Sequence, residues 1–134
     1  MSLEKTAEQI KNMEIRGAGK IAREAAAALR DHAESLPEAG LSAFVSEMNR
    51  AADILLATRP TAVSLPNAVR ITLAGLSSAK TESEARALVK TQADRFVDAS
   101  TKAVERIAEI CASRIADGMT IMTHCNSKAA LAGI

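Results

Sequence analysis

Residues 122–130, MTHCNSKAA, set a thiol, a hydroxyl and an ammonium side by side, a composition suited to proton transfer and anion binding. Cys125 follows a short apolar run and directly precedes a helix start at Asn126 or Ser127. If the run is a parallel strand, Cys125 lies at its carboxyl end, where open α/β sheets place their ligands. The positive end of the following helix favours a nearby anion, which lowers a thiol's pKa and makes thiolate available near neutral pH. Cys125 is therefore a candidate base or nucleophile, although a small buried filler fits the same position. At Ser127 and Lys128, backbone N–H groups, a hydroxyl and an ammonium could hold a phosphate, or serve as a simple cap and a solvated cation.

A second cationic turn is IRGAG, Ile15 to Gly19, in which Arg16 adjoins Gly17, Ala18 and Gly19 at the mouth of a helix bearing Lys20 and Arg23. It is too short for a dinucleotide fingerprint and no strand precedes it, so it reads either as an anion cradle or as a plain turn. Arg59, before Pro60, and Arg70 carry the same two readings. His32 and His124 lack a serine nucleophile with base and orienting acid, so a hydrolase triad finds no support. Adjacent residues such as His124 and Cys125 seldom chelate one ion, and Cys111 falls on an apolar stripe; no metal and no cofactor is called for.

These residues must be positioned by helices. Residues 3–14 read as a short helix with Leu3, Ala7, Ile10 and Met13 inward, broken by Gly17 and Gly19. A second runs from Lys20 to about Ser35 and a third from Leu41 to Thr58, stopped at Arg59-Pro60 because proline disfavours helix in the residue before it. Asn67–Ser78 makes a fourth, with Pro66 in its first turn. TESE at Thr81–Glu84 matches a capping box and opens a fifth helix of about 30 residues, on the order of 45 Å long at 1.5 Å per residue. Its stripe of Leu88, Val89, Phe96, Ala103, Val104, Ile107, Ile110, Cys111 and Ile115 predicts an inward face. So long a helix suits a domain boundary or an oligomer contact.

The chain has 134 residues and balances 17 Lys and Arg against 16 Asp and Glu, so no charge surplus steers it to nucleic acid. With two Phe, no Trp and no Tyr, it also lacks stacking platforms for single-stranded bases. No stretch approaches the roughly 20 apolar residues that span a bilayer, and the charged N-terminus MSLEKTAEQI lacks a signal-peptide core. Two cysteines are too few for a disulfide framework. A cytoplasmic protein without membrane or nucleic-acid partners is expected.

After the turn dipeptide Asp117-Gly118, Met119–His124 reads as a buried strand, followed by a capped helix that runs to Ile134 with apolar residues at its end. A strand followed by a helix is half of a βαβ unit and needs neighbouring strands. The expected fold class is therefore all-α: a helical N-terminal domain over 1–117, with 118–134 the first strand and partial helix of a truncated Rossmann-like α/β domain.

Three segments, EIRGAGK at Glu14–Lys20, RPTAVSLPNAVR at Arg59–Arg70 and DGMTIMTHCNSKAA at Asp117–Ala130, resemble in that order the archaeal ribose-1,5-bisphosphate isomerases. Those belong with the methylthioribose-1-phosphate isomerases and the regulatory subunits of initiation factor 2B. The resemblance covers essentially the whole chain and implies a helical domain before a Rossmann-like one, in dimers or hexamers. It places the catalytic cysteine on Cys125. Substrate binding falls on Arg16, Gly17, Ala18, Gly19, Arg59, Ser127, Lys128 and Ala129; the partner acid, an aspartate, lies downstream in the family. SKAA after THCNS leans toward the bisphosphate enzyme, whereas THCN is shared with the methylthioribose enzyme.

The implied reaction converts ribose 1,5-bisphosphate to ribulose 1,5-bisphosphate in nucleotide (AMP) salvage. Two phosphates require two cationic cradles, for which the Arg16 loop, Arg59 and the Ser127-Lys128 turn are the candidates. The rival readings are a regulatory subunit in translation initiation and a methylthioribose-1-phosphate isomerase of methionine salvage.

Overall fold

A computed structural model describes residues 2–124 and 127–134. Six α-helices follow one another among these residues: α1 Leu3–Lys11, α2 Ala18–Ser35, α3 Leu41–Leu56, α4 Ser64–Thr72, α5 Glu82–Ala112 and α6 Lys128–Ala132, with a short 3-10 turn at Leu76–Ser78 between α4 and α5. The chain divides into two compact units, one up to Val97 and one from Asp98 to Ile134, and the division falls inside α5.

In the first unit α2 is the central helix, packing against α1, α3 and α4. Its inward stripe is built largely of alanine, with Ala22, Ala25, Ala26, Ala28 and Ala33 buried beside Ile21 and Leu29. Small side chains let neighbouring helix backbones approach, and the larger ones needed to fill the core come from outside α2. Phe44, Met48 and Leu55 enter from α3, Leu65 and Val69 from α4, Leu3 and Ile10 from α1, and Val89 from α5. Interdigitation of this kind gives the close packing that makes each core methylene count.

The helix ends show local chemistry at work. Ser2 Oγ accepts the Lys5 N–H at 3.3 Å and caps α1. The predicted helix over 3–14 stops at Lys11, because Asn12 Oδ1 accepts the Glu14 N–H at 3.1 Å and draws the chain into a side-chain-closed turn. Met13, predicted inward, is then 53% exposed with φ +67°. Helix α4 starts at Ser64, earlier than the prediction at Asn67, keeping Pro66 in its first turn, and it ends at Thr72 before the 3-10 turn. Thr81 Oγ1 accepts the Glu84 N–H at 3.1 Å, so α5 opens on the predicted cap; the Glu84 carboxylate reaches back to the Lys80 N–H at 2.8 Å.

Two expectations are corrected. Residues 119–124 form no strand, and no strand occurs among the described residues. A strand exists only through ladder hydrogen bonds to a neighbour, and an apolar, β-branched sequence does not supply one by itself. The Asp117-Gly118 turn is present, closed by the Met119 N–H to Ala116 carbonyl bond at 3.2 Å. Of the stripe on α5 only Val89 is buried, the other buried positions of the helix being Ala85 and Ala93, outside the stripe; beyond the division between units Ile107 and Ile110 are 41% and 40% exposed, and Ile115 and Ala103 are exposed as well. The helical period is right, but a face is buried only as far as something packs on it.

Candidate functional site

The described candidate residues fall into two groups, one in each unit. In the first unit, Arg16 is exposed in the connection after α1, and Ile15 beside it is buried, so the connection is anchored by one side chain and presents the next. Gly17 occupies the N-cap of α2 with φ +89° and ψ 127°, a conformation open to glycine and strained for other residues. Ala18 and Gly19 form the first turn.

Among the described residues no side chain caps this helix, and its first turn holds no acidic residue, so the orphan N–H groups of an 18-residue helix meet no carboxylate within that turn. The Arg23 guanidinium folds back over the same turn: a β-carbon at Gly19 would stand 3.3 Å from its Nη1. Arg16, Lys20 and Arg23 surround the start of α2 with cations. A site of this kind can bind an anionic oxygen group.

Arg59 is half-buried in the connection between α3 and α4. Its carbonyl accepts the Ala62 N–H at 3.1 Å, and the preceding Thr58 hydroxyl donates to the Leu55 carbonyl at 2.6 Å, so both sides of Arg59 are fixed by local bonds before Pro60. Arg70, by contrast, donates to Asn67 Oδ1 at 2.8 Å on an exposed face of α4.

In the second unit, Ser127 caps α6, its Oγ accepting the Ala130 N–H at 3.2 Å. The hydroxyl hydrogen is not used by that bond. Lys128 is exposed and Ala129 half-buried. Cys125, the predicted catalytic thiol, lies outside the described residues, as does Asn126. His124 is exposed. Among the described residues no group of three or more His, Cys, Asp or Glu side chains could hold a metal ion, and no helix is long and apolar enough to cross a membrane.

Two positions escaped the sequence reading. Arg86 donates to the Ala33 carbonyl and to the Pro37 carbonyl at 3.0 Å, pairs with Glu82 at 2.5 Å, and fixes the start of α5 to the α2–α3 connection. The Ala33 and Pro37 carbonyls are far away in the chain, so periodicity carries no trace of them. Gly133, after α6, is buried against Cys111. A glycine closing KAALAG reads as an ordinary helix stop, and nothing in the sequence marks a close approach.

The chain is 52% identical to the ribose 1,5-bisphosphate isomerase of Thermococcus kodakarensis over 93% of its length, and 47% identical to that of Methanocaldococcus jannaschii over 98%. The methylthioribose-1-phosphate isomerase of Geobacter sulfurreducens is 32% identical over 90% of the chain. In these relatives the chain spans only about two fifths of the protein, 40%, 42% and 36% respectively. The crystal structure of 5-methylthioribose 1-phosphate isomerase from Pyrococcus horikoshii superposes with a TM-score of 0.80 at 32% identity, covering 87% of this chain and 33% of that one. The pattern of the initiation factor 2 subunit family matches residues 14–134, nearly the whole sequence including all three segments on which the site was read. This chain belongs to the initiation factor 2 subunit family.

Proposed function

We propose that the chain is the N-terminal part of an aldose–ketose isomerase that converts ribose 1,5-bisphosphate to ribulose 1,5-bisphosphate in nucleotide (AMP) salvage, with residues 1–117 its helical domain and 118–134 the opening of an α/β domain. The observation that carries this reading is the gap in identity: archaeal ribose 1,5-bisphosphate isomerases match at 44–52% and the methylthioribose-1-phosphate isomerase at 32%. The cationic, uncapped start of α2 supports it independently, since a bisphosphate needs a second anion cradle beyond one at Ser127 and Lys128.

In the proposed reaction, Arg16 with the N–H groups of Gly17, Ala18 and Gly19, together with Arg59, holds one phosphate. The Ser127 hydroxyl, Lys128 and the backbone at Ala129 hold the other. A sugar carrying phosphate on its anomeric oxygen cannot ring-open as a free aldose does, so an acid must protonate the ring oxygen while the phosphate stays on carbon 1. The residues between 1 and 134 assigned here do not include that acid. The Cys125 thiolate removes the proton on carbon 2, and its return to carbon 1 gives the ketose. The acting protein is a cytoplasmic homo-oligomer, a dimer or hexamer, and needs no cofactor or metal.

The test incubates the full-length protein with ribose 1,5-bisphosphate and, separately, with methylthioribose 1-phosphate, comparing wild type with Cys125→Ser. Turnover of the bisphosphate, reduced at least about a hundredfold in the variant, is the expected result for loss of a general base. Turnover of methylthioribose 1-phosphate alone would move the protein to methionine salvage. Turnover of neither sugar would leave a regulatory role in translation initiation as the better reading.

A further inference from the structure

The first half of α5 carries an outward pattern that reads the same in both directions. Glu84, Ala87, Leu88, Thr91, Gln92 and Arg95 follow one another at steps of three, one, three, one and three residues, which puts them on one stripe of the helix and makes that stripe symmetric about its middle. These residues line one side of a shallow groove of about 630 Å³, whose other side is Ala74 and Gly75 between α4 and the 3-10 turn. The groove lies wholly within the unit up to Val97.

An acid stands at one end of the stripe, a cation at the other, and small or apolar groups lie between. Glu84 gives one carboxylate oxygen, Oε2, to the Lys80 N–H at 2.8 Å and is exposed to solvent with the other. Among the described residues the exposed Arg95 guanidinium makes no hydrogen bond or ion pair. Gln92 ties the two walls together by donating from Nε2 to the Ala74 carbonyl at 2.5 Å, so the width of the groove is held. The facing wall is low: a β-carbon at Gly75 would meet only Leu88 Cδ2, at 3.7 Å. Side chains that small let a second helix lie close along α5.

A two-fold axis through the middle of the stripe, between Val89 and Lys90, carries Glu84 onto Arg95, Ala87 onto Gln92 and Leu88 onto Thr91. Two copies of α5 laid antiparallel therefore meet acid to cation at both ends, with Leu88 against a threonine methyl near the centre. Any other partner must bring a cation and an anion about 16 Å apart in the opposite order, eleven residues at 1.5 Å each. A second copy has them by its symmetry. A small molecule would stay largely in water here, because Glu84, Ala87, Thr91, Arg95 and the Ala74-Gly75 wall are all exposed, whereas ligand sites enclose most of their occupant.

We propose that this groove is a contact between two copies of the chain, α5 lying antiparallel on its mate with Glu84 paired to Arg95 of the other copy at each end. So short a contact is weak alone and gains its strength beside other contacts in an oligomer. It gives the homo-oligomer of the proposed function a surface, and it does not depend on which sugar is turned over.

Sedimentation velocity of the full-length protein compares wild type, Arg95→Glu, Glu84→Arg and an equimolar mixture of the two variants. Each variant alone sets like charges opposite one another at both ends, and the dissociation constant of the largest assembly rises at least about tenfold. The mixture brings two cations on one copy to two acids on the other and reassembles to within about threefold of wild type, which no effect on folding reproduces. Thermal midpoints are recorded because Glu84→Arg also loses the bond to the Lys80 N–H. Arg95→Lys leaves that bond alone, keeps the pair, and lets a carbodiimide join residue 95 to Glu84 as an amide. Within one copy the two positions are about 16 Å apart, so peptide mapping of mixed isotope-labelled and unlabelled protein finds the link between copies; should Glu84→Arg not fold, this link decides. A monomeric wild type, unchanged association in Arg95→Glu, folded variants that do not reassemble when mixed, or no link between copies overturns the proposal. Unchanged association is also the result if another part of the protein covers this face. A link between copies without turnover of any sugar leaves the contact standing and the isomerase reading fallen.

Discussion

The Arg86 guanidinium lies over the ring of Phe44, 4.8 Å from its centroid, while its nitrogens bond to Glu82 and to the carbonyls of Ala33 and Pro37. One side chain of α5 therefore meets the end of α2, the α2–α3 connection and the core face of α3. Glu82 completes the clamp by accepting the N–H groups of Ala39 and Gly40, at 3.1 and 2.6 Å, ahead of α3. Arg86 and Glu82 are both mostly buried, at 22% and 13% side-chain exposure, so these bonds are only partly screened by water.

Replacing Arg86 by Ala leaves two carbonyls and a carboxylate short of a donor and removes the cation over the ring. The expected loss is about 2–4 kcal/mol of unfolding free energy, combining hydrogen bonds to a charged group with a cation–π contact. Chemical denaturation of the two proteins checks it; a difference below about 0.5 kcal/mol would mean that the clamp is ornamental.

The Arg86 bond, reinforced by the N–H groups of Gly40 and Ala39, holds the Glu82 carboxyl below its usual value of 4.5. A carboxyl depressed in the folded state stabilises fully at pH values above its unfolded pKa and loses that contribution as pH falls through the folded one. Glu82→Gln should accordingly be less stable than wild type at pH 7, with the two stability curves converging below about pH 4. Parallel curves down to pH 2 would contradict this origin.

Gly17→Ala forces a side chain into a backbone conformation worth about 1–3 kcal/mol of strain. Nothing stands within 4 Å of the added carbon, so the penalty comes from the backbone alone. Relief by rotation of the peptide would swing the first N–H groups of α2 off their line, and the expected result is a KM for ribose 1,5-bisphosphate raised by about tenfold or more. Steady-state kinetics on the full-length protein read it directly.

At Lys128, exposed beside the Ser127 cap, truncation to Ala touches no core contact and should leave the thermal midpoint unchanged. Loss of a charge-assisted bond to phosphate, about 1.5–3 kcal/mol, corresponds to KM about 10- to 100-fold higher. Equal KM values would remove Lys128 from the phosphate site.

Leu29 is fully buried on α2 among alanines. Leu29→Ala should cost about 2–5 kcal/mol, because the surrounding small side chains have no length with which to fill the void. Urea unfolding of the variant measures the cost; a value under about 1 kcal/mol would show that the helices can collapse inward.

Much of this architecture is written in local patterns. The Thr81 cap and the length of α5 depend on residues within a few positions of one another and are where the sequence places them, while α3 ends at Leu56, two residues short of the predicted Thr58 ahead of Arg59-Pro60. Asn12 defeated the same logic: apolar spacing continued to Met13 while a side-chain bond to the Glu14 N–H had already ended the helix. The strand at 119–124 failed for another reason, since its signal describes what a sheet would accept and not whether one is there. At the candidate site, the cationic turn at Arg16 was legible because its parts are contiguous. The Arg86 clamp and the Gly133 contact were not, because each depends on a partner that only folding brings near.

The alanine stripe of α2 has a bearing on how this chain can change over generations. At Ala25, Ala26 and Ala28 almost every single-codon replacement adds atoms where neighbouring helices already touch, and over-filling a close-packed interior is penalised by roughly 1–3 kcal/mol. The innermost helix is thereby held to the smallest chiral residue, and divergence must accumulate on the ring of helices around it. Lineages would differ at the rim while sharing an almost frozen axle.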